Sequence, residues 1–462
     1  MNSKLRFSII FALLSIMGFG QEISFEQHIV ADDFTDGYDV FPYDLNNDGF
    51  MDILAAGKAN GGQVAFWLND GIGNFDQTPL KQGFSGARSV RAGNLNNDEI
   101  PDIVSAAWMA NDIIYFEGLD NGEYTEHIVD NDFKGAHTVD LKDVNGDGAL
   151  DILCSGFDYY GHNGEIAWWE NDGQDSITWT KHPISDRFQQ SPFIYGEDMD
   201  NDGDLDVIAC GELNNEILWW ENDGSGTFIG EYMVDSAFQS AHTVLARDID
   251  QDNDMDILAA GCINSKLAWY ENDGNQYFIK HNLVANGGDL WLDAADLDLD
   301  GDVDLVGAGM SASYIRWYKN DGNQQFARFN AGDQFPSGFA VIPVNMDGDG
   351  DIDLLAIGYS SDRISWFENN ADSTTSVKEW HGDRQMDIRI YPNPCYDHIN
   401  IDTDFTGLKK VTIVSISGNL LRTLWSPDRH TSIWLGNYST GEYIVNIEDD
   451  RGHRKSFKFI KK

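Results

Sequence analysis

The apolar and polar residues of this chain alternate in short runs, and the runs return in groups of four about every fifty residues. Asn, Asp and Gly residues separate the runs, and one group consists of Phe193 to Glu197, Val207 to Cys210, Ile217 to Glu221 and Phe228 to Val234. Runs of this length between turn-forming residues predict β-strands. Four short strands in each of seven repeats predict an all-β fold, a seven-bladed β-propeller.

An aromatic pair occupies the third run of every repeat. The seven pairs are Phe66-Trp67, Tyr115-Phe116, Trp168-Trp169, Trp219-Trp220, Trp269-Tyr270, Trp317-Tyr318 and Trp366-Phe367. Each sheet in a ring of blades must bury both of its faces. We therefore interpret these rings as packing between blades rather than as a ligand site.

The fourth run is missing from the last repeat, but a copy of it stands ahead of the first. Fourth runs typically read Phe-x-x-His-x-Ile/Val, as in Phe278 to Val284, and the segment Phe25 to Val30 matches them. We expect this segment to complete the seventh sheet and close the ring, because a closed ring protects the strand edges. The recurring His of this run is predicted to be structural.

A nine-residue acidic segment lies between the first and second runs of each repeat. It has oxygen side chains at positions 1, 3, 5 and 9 and usually Gly at position 6, and its copies begin at Asp44, Asn94, Asp143, Asp198, Asp248, Asp296 and Asn345. Hard oxygen ligands, together with the backbone carbonyl of position 7, suit Ca²⁺, and the absence of Cys and His argues against zinc and copper. Gly at position 6 permits a tight turn.

An EF-hand would require Glu at position 12 and flanking helices. Position 12 is instead Ala55, Ser105, Cys154, Ala209, Ala259, Gly307 or Ala356, and the flanking runs predict strands. The segments are therefore predicted to be calcium-binding β-hairpin turns. An Asx-rich turn without a metal ion is the alternative for any single copy.

About six Ca²⁺ sites are expected. The predicted ligands are Asp44, Asn46, Asp48, Phe50 and Asp52; Asp143, Asn145, Asp147, Ala149 and Asp151; Asp198, Asp200, Asp202, Asp204 and Asp206; Asp248, Asp250, Asp252, Asp254 and Asp256; Asp296, Asp298, Asp300, Asp302 and Asp304; and Asn345, Asp347, Asp349, Asp351 and Asp353. The degenerate second copy has Glu99 in place of Gly, and we expect it to bind poorly or not at all. Its candidate ligands are Asn94, Asn96, Asp98 and Asp102.

The chain is strongly acidic, with 77 acidic and 30 basic residues and a net charge of −47. This charge argues against nucleic acid and anionic membrane surfaces as partners and favours cations. Residues 1–20 combine Lys4 and Arg6 with a short apolar stretch, which predicts a secretory signal peptide. The remaining sequence has no apolar run long enough to predict a transmembrane segment.

The four cysteines are too few and too widely spaced to staple a chain of this length. They are Cys154, Cys210, Cys262 and Cys395. We favour buried free thiols, with a bridge between Cys154 and Cys210 as the alternative.

The acidic loop, D-x-N/D-x-D-G-x-x-D followed by Ile, Leu or Val, resembles the repeat of the FG-GAP and VCBS family over residues 25–370. This family includes the seven-bladed propeller of integrin α subunits. Literal FG and GAP strings are absent, although Ala56-Gly57 and Ala260-Gly261 approximate the second string. The resemblance implies a β-propeller, and we assign residues 21–370 to it.

Residues 371–383 are predicted to be a polar linker, and residues 384–462 a second, smaller all-β unit. Its strand-like alternation covers His398 to Asp402, Lys410 to Ile416 and Glu442 to Ile447. Several motifs together resemble a type IX secretion sorting domain: Tyr391-Pro392-Asn393-Pro394, Ser417-Gly418-Asn419, Gly441-Glu442-Tyr443 and the basic end at Lys458, Lys461 and Lys462. The resemblance implies a small Ig-like β-sandwich that engages the type IX secretion machinery. It also implies a secreted or outer-surface location in a Bacteroidetes-type Gram-negative bacterium.

The face of the ring opposite the acidic loops is predicted to carry aromatic and polar side chains. They are Tyr38, Arg88, Trp108, His137, Phe157, Tyr160, His242, Trp291, Phe339 and Tyr359. Such side chains on loops over a rigid disc suit a carbohydrate or protein ligand. The alternative is that they fill the central channel.

The leading functional hypothesis is a secreted, calcium-stabilised binding or adhesion module for an extracellular glycan or protein. A polysaccharide lyase or hydrolase is the enzymatic alternative, because propellers host both activities, and a structural part of a surface assembly is the third. The sequence has no G-x-S-x-G, H-E-x-x-H or phosphate-loop motif, and the metal loops already account for the clustered acids. Arg88 with His137 is the one loose candidate for a catalytic pair.

Overall fold

The structure is a computed structural model, and it describes residues 23–58, 61–71, 73–156, 164–188, 193–262, 266–283, 289–311, 313–332, 334–371, 388–391, 395, 398–403, 409–415, 420–426, 429–435, 438, 441–448 and 454–462. The predicted signal peptide, most of the predicted linker, Phe157 and Tyr160 lie outside the described residues. The chain divides into two compact units, Met1–Ser373 and Thr374–Lys462.

Seven four-stranded antiparallel sheets form the described part of the first unit, which confirms the predicted seven-bladed propeller. The first strand of each blade lies nearest the ring axis, and first strands contact those of both neighbouring blades in a closed circle. These strands are β2 (Gly37–Tyr43), β6 (Ala87–Gly93), β10 (Ala136–Lys142), β14 (Phe193–Glu197), β18 (Ala241–Arg247), β22 (Trp291–Ala295) and β26 (Gly338–Val344).

The second strand of each blade is buried along its whole length. Its residues are mostly Ile, Leu, Val and Ala, which fit a strand that is covered on both faces. These strands are β3 (Asp52–Gly57), β7 (Asp102–Ala107), β11 (Asp151–Gly156), β15 (Asp206–Gly211), β19 (Asp256–Gly261), β23 (Asp304–Ala308) and β27 (Asp353–Gly358).

The third strand of each blade carries the aromatic pair, and its rings are buried between adjacent blades. Trp168 of the third blade and Trp220 of the fourth, for example, belong to one hydrophobic cluster. This confirms the interpretation of the aromatic pairs as inter-blade packing. The third strands are β4 (Gln63–Asn69), β8 (Asp112–Gly118), β12 (Gly164–Asn171), β16 (Glu216–Asn222), β20 (Lys266–Asn272), β24 (Ile315–Asn320) and β28 (Ile364–Asn369).

The fourth strand of each blade lies at the rim and consists mainly of half-buried and exposed residues. These strands are β5 (Phe75–Gln82), β9 (Tyr124–Asp130), β13 (Trp179–Phe188), β17 (Phe228–Asp235), β21 (Phe278–Asn282), β25 (Phe326–Ala331) and, for the seventh blade, β1 (Phe25–Ala31). The seventh sheet therefore combines one strand from the start of the propeller with three from its end.

The first strand of the chain closes the ring as the sequence predicts. β1 pairs antiparallel with β28, from Phe25 opposite Asn369 to Ala31 opposite Ile364. The Phe25 ring also packs edge-to-face on Trp317 of the sixth blade, with 6.3 Å between ring centroids. The pairing leaves no blade of the ring with an unpaired third strand.

The recurring His of the rim strand has a structural role in four blades. Each imidazole stacks on the aromatic ring of the third strand, 4.4 to 4.7 Å between centroids, and its Nε2 lies 2.6 to 2.8 Å from a Glu carboxylate. The His–aromatic–Glu sets are His28–Trp366–Glu368, His127–Tyr115–Glu117, His182–Trp168–Glu170 and His281–Trp269–Glu271. In the fourth blade Tyr232 stacks on Trp219 and donates its hydroxyl to Glu221 instead.

The second unit contains two sheets around one apolar core. One sheet contains β29 (Ile388–Tyr391), β30 (His398–Thr403) and β33 (His430–Trp434), and the other contains β31 (Lys409–Ser415), β32 (Leu420–Ser426), β34 (Gly441–Glu448) and β35 (Arg454–Lys461). Two sheets that share a core form a β-sandwich. The segments predicted from alternation lie in β30, β31 and β34, except for Ile416, which is outside the described residues.

The described residues contain no helix in either unit, and therefore none that could cross a membrane. All four cysteines are free thiols, which agrees with the favoured interpretation and not with a bridge between Cys154 and Cys210.

Removal of residues 21–31 is expected to open the ring, because β28 would lose one of its two antiparallel partners and Trp366 would lose its stacked His28. The truncated chain should melt at a lower temperature and with less cooperativity, and its tryptophan fluorescence should shift to the red. Ile29→Thr is the matched control, since this side chain is 55% exposed and should leave the melting temperature unchanged. A truncated chain that melts like the intact one would show that β1 does not close the ring.

Candidate metal centres

The seven acidic loops occupy the same position in every blade, between the end of the first strand and the start of the second. They therefore lie together on one face of the ring. Position 9 of each loop is the first residue of the second strand, as Asp52 is in β3.

The Asp at position 9 is buried and anchors the loop to the sheet in all seven blades. Its carboxylate accepts one backbone N–H from loop position 2 and another from the last residue of the third strand, as Asp353 does from Met346 and Asn369, both at 2.8 Å. The seven residues are Asp52, Asp102, Asp151, Asp206, Asp256, Asp304 and Asp353, and each is at most 1% exposed. This Asp therefore connects the acidic loop, the start of the second strand and the end of the third strand, and these hydrogen bonds do not require a metal ion.

The other oxygen positions curl the loop around a common centre. In the first loop, Asp44 accepts the backbone N–H groups of Asp48 at 3.0 Å and Gly49 at 2.8 Å, and Asp48 accepts that of Phe50 at 2.9 Å. The third loop has the same bonds around Asp143 and Asp147. These bonds hold the side-chain oxygens of positions 1 and 5 on the inner side of the turn.

Position 6 has a left-handed backbone in every loop, which explains the preference for Gly. Glu99 and Asn253, which replace Gly, also adopt positive φ angles of 69° and 76°. Position 4 is left-handed as well, a feature that sequence reasoning missed although Asn or Gly occupies five of the seven copies. Leu299 holds this conformation in the sixth loop with a φ of 57°.

In five blades, an Asn at the end of the third strand joins its own loop to the loop of the preceding blade, and sequence reasoning also missed it. Asn171 donates its Nδ2–H to the carbonyl of Leu150 in its own loop at 3.1 Å and to the carbonyl of Leu95 in the second loop at 2.8 Å. Equivalent bonds between blades come from Asn69, Asn222, Asn272 and Asn369. The recurrence of Asn two residues after the aromatic pair was the available signal.

Position 4 makes a second connection between neighbouring loops. The side-chain amide of Asn47 donates to the carbonyl of Glu99 at 3.2 Å, that of Asn201 to the carbonyl of Asn253 at 3.0 Å, and that of Gln251 to the carbonyl of Gly301 at 2.6 Å. In each case the acceptor is position 6 of the next blade. The loops are therefore the joints between blades on this face.

Three loops bring carboxylate oxygens close enough to share a metal ion. In each, three oxygens from different Asp residues lie within 4.8 Å of one another, and the groups are Asp198, Asp200 and Asp206; Asp248, Asp250 and Asp256; and Asp296, Asp298 and Asp300. The Oδ1 atoms of Asp198, Asp250 and Asp296 are buried and have no hydrogen-bond partner. Buried carboxylate oxygens without a donor fit a hard cation, which would supply the missing positive charge.

Burial also raises the pKa of the position-9 carboxyl groups. The pKa of Asp52 and Asp102 is about 6, and that of Asp206, Asp256 and Asp353 is about 7, against an ordinary value near 3.8. Backbone N–H groups offset only part of this cost. A dication beside these residues would favour the charged form.

The second repeat departs from the others at its joint with the first blade. Gly118 stands where other blades have the clamping Asn, and a Cβ atom there would lie 2.5 Å from the carbonyl oxygen of Pro101. A cleft of about 300 Å³ opens at this joint, with Phe66 and Tyr124 among its lining residues. The degenerate loop sequence and the missing Asn thus occur in the same blade.

The predicted ligand-face residues gather at the start of the first strands, opposite the acidic loops. The Tyr38 ring lies 4.7 Å from Phe339 and 5.2 Å from Tyr359, and the Arg88 guanidinium lies 3.9 Å from the Tyr38 ring. His242 packs 5.8 Å from Phe339. Burial lowers the pKa of His242 to about 3, so this imidazole is neutral at physiological pH.

The remaining ligand-face residues lie around this group. His137 is buried and its Nδ1 lies 3.1 Å from the hydroxyl of Thr138, while Trp291 packs edge-to-face on Phe193 at 5.2 Å. Trp108 is half-buried, and Lys58 lies 5.9 Å from both its ring and the Tyr38 ring. Tyr38 and Phe339 therefore fill the channel, whereas Arg88, Trp108 and Tyr359 keep partial access to solvent.

Family models match both units. The FG-GAP-like repeat model matches residues 44–105, 94–154, 198–259, 248–307 and 296–356, which together make up more than half of the chain. The chain belongs to the FG-GAP-like repeat family. Residues 389–462 match the secretion system C-terminal sorting domain, so this FG-GAP-like protein carries a sorting domain at its end.

Solved structures support the fold of the FG-GAP-like unit. One is a streptogramin B lyase, 13% identical with a TM-score of 0.53, and the alignment covers 75% of this chain and 98% of the lyase. Another is BBS1N in complex with ARL6DN, 12% identical with a TM-score of 0.51, over 74% of this chain and 95% of the other. At these identities the likeness concerns the fold alone. No match was found among curated proteins.

Replacement of Asn171 by Ala should destabilise the FG-GAP-like ring, because two buried carbonyl groups would lose their donor and one link between blades would break. We expect a loss of about 2 to 4 kcal/mol in the free energy of unfolding, measured by urea titration. The control is Asn330→Ala in β25, whose side chain is exposed. Equal stability of the two variants would refute a clamping role for Asn171.

Proposed function

We propose that this protein is an exported, calcium-stabilised binding module without chemistry of its own. The observation that carries the calcium part is the pair of carboxylate clusters in the fourth and fifth loops, where Asp198 and Asp250 each have a buried oxygen without a hydrogen-bond partner. Ca²⁺ bound there would be held by positions 1, 3, 5 and 9 and by the carbonyl of position 7. It would relieve the repulsion between acids that the loop hydrogen bonds bring together.

Calcium in these loops would stabilise the ring as well as the single blade. Neighbouring loops are hydrogen-bonded to each other at three joints, as Asn201 is to Asn253. A loop that is rigid with its metal ion presents these groups in the required positions. Binding energy at one loop therefore supports the joint to the next.

Chelation of Ca²⁺ is expected to lower the melting temperature of the protein. A site with a dissociation constant of about 10⁻⁴ M contributes about 1.4 kcal/mol at millimolar Ca²⁺, so several sites together would match the stability of an ordinary domain. The measurement compares a thermal melt in about 2 mM Ca²⁺, an extracellular concentration, with a melt in excess EGTA. Mg²⁺ at the same concentration should restore little of the loss, and a melt that is insensitive to EGTA would contradict the proposal.

We propose that the ligand binds the face opposite the acidic loops. Trp108 and Tyr359 are half-buried there, and Arg88 and Lys58 supply positive charge in an otherwise acidic protein. Loops that follow the second strands on the same side expose Met109, Leu213 and Met310. Exposed apolar side chains beside aromatic rings and cations suit an acidic glycan or a protein surface.

The sorting domain supports export of this module. Its match covers residues 389–462, and the type IX machinery that reads such domains would place the propeller in the medium or on the outer surface of a Bacteroidetes-type bacterium. An extracellular location supplies the millimolar calcium that weak loops require.

The binding proposal is tested by glycan and protein arrays probed with the full chain in calcium. We expect at least one class of bound ligand, with binding reduced about ten-fold or more by Trp108→Ala and weakened by EGTA. Tyr277→Ala is the control, since this exposed ring lies in the turn before β21, away from the proposed face. Arrays that remain empty, or binding that Trp108→Ala leaves intact, would count against this face.

A further inference from the structure

The sixth loop differs from the other loops in the residue that faces it from the third strand. In five blades the residue before the last position of that strand is Glu, and the five residues are Glu117, Glu170, Glu221, Glu271 and Glu368. The sixth blade has Lys319 at this position of β24. A side chain of opposite charge therefore stands beside the loop.

The Glu residues at this position lie beside position 3 of their loops. In the third blade, the Asn145 side-chain amide lies 3.5 Å from Glu170 Oε1, while Oε2 of the same Glu holds His182 at 2.8 Å. The sixth blade has Phe329 where the rim His would be, packed on Trp317, so this blade has no counterpart of the His–Glu pair. The position thus points at the loop in both cases.

The ammonium group of Lys319 lies among the carboxylates of the sixth loop. It contacts Asp298 Oδ2 directly and lies 2.9 Å from Asp300 Oδ2, and only 23% of the Lys319 side chain is exposed. Asp298 is 1% exposed at its side chain. These two residues are positions 3 and 5 of the loop, and with Asp296 they form one of the three carboxylate groups described above.

A calcium ion that binds these oxygens would lie 2.3 to 2.6 Å from them. An ammonium group held by the same two carboxylates cannot keep its place beside the ion, because the two cations would repel at a few ångströms in a poorly hydrated site. Lys319 must therefore leave the loop, and its ion pairs with Asp298 and Asp300 must break, before Ca²⁺ can bind.

We propose that Lys319 is a built-in counter-cation that makes the sixth loop the weakest calcium site among the complete loops. This inference rests on the proposed calcium binding of the other loops and deepens it. The sixth loop has Asp at all five ligand positions, and by its acids alone it would count among the strongest sites. The ammonium group reverses that ranking and holds this joint of the ring without metal.

The test is the number of Ca²⁺ ions that the full chain binds, measured by native mass spectrometry and by calcium titration. The free Ca²⁺ concentration is about 0.1 mM, which is near the dissociation constants of weak calcium sites. We expect Lys319→Gln and Lys319→Glu to bind one ion more than the wild type, with affinity at the sixth loop raised at least ten-fold. Asp298→Asn on the Lys319→Gln background should remove the added ion. Lys280→Gln is the matched control, because Lys280 pairs with Asp235 at the rim.

A reciprocal change tests the same position in another blade. Glu271→Lys should remove one ion from the fifth loop, whereas Glu271→Gln, which also breaks the pair with His281, should retain it. The wild-type background gives a further test that leaves Lys319 in place. There, Asp200→Asn should lose one ion, while Asp298→Asn should lose none.

The outcomes separate the two proposals. Equal ion counts and affinities for the wild type and Lys319→Gln, or loss of an ion from the wild type on Asp298→Asn, would overturn the role of Lys319 alone. If the wild type and every variant bound no Ca²⁺ at any loop, the proposed calcium function itself would fail.

Discussion

Each blade buries one carboxylate at the point where its acidic loop, its third strand and the neighbouring blade meet. The position-9 Asp accepts a backbone N–H from the loop and another from the end of the third strand, as Asp151 does from Val144 and Asn171. The same Asn171 then donates its side-chain amide to the preceding loop. Burial of a charged carboxylate is unfavourable unless hydrogen bonds and positive charge stabilise it. The backbone N–H groups of the loop and of the third strand supply the hydrogen bonds.

Closure of the ring depends on the repetition of this joint and on the aromatic packing between blades. A single joint or a single aromatic contact contributes little. Because a ring has no free end, each blade makes both interactions with a neighbour on either side. The last blade obtains its rim strand from β1, which pairs with β28. This arrangement connects the start of the propeller to its end and makes the loss of a single blade a disturbance of the whole ring.

The copies that depart from the repeat are informative about function. The second blade combines a neutral first position at Asn94 with Gly118 in place of the clamping Asn, so its joint with the first blade contains a cleft and keeps only the bond from Asn47 to the carbonyl of Glu99 among the connections described above. The sixth blade retains its acids but places Lys319 among them. The ring therefore contains joints of three kinds: those suited to a dication, one that has lost the ligand pattern, and one with its own cation.

The sequence by itself determined the number of blades, the boundaries of the repeat and the position of the acidic loops. Short-range patterns carry this information, because strand alternation, Gly at position 6 and the aromatic pair are each local requirements of a strand or a turn. The swapped rim strand was also predictable, since Phe25 to Val30 repeats a pattern that the last blade lacks. The resemblance of the C-terminal motifs to a sorting domain was confirmed in the same way.

Only the tertiary structure decided how the repeats act on one another. The amide of Asn171 reaches a carbonyl 76 residues earlier in the chain, and Lys319 reaches acids about twenty residues before it. From the sequence alone, the five acids of the sixth loop predict a strong calcium site. A linear pattern does not show which side chain of another strand faces these acids. Burial likewise separated Tyr38 and Phe339, which fill the channel, from Trp108 and Tyr359 at its mouth. Contacts between distant segments and the exclusion of water arise only on folding, and these two effects set the charge and the accessibility of each site.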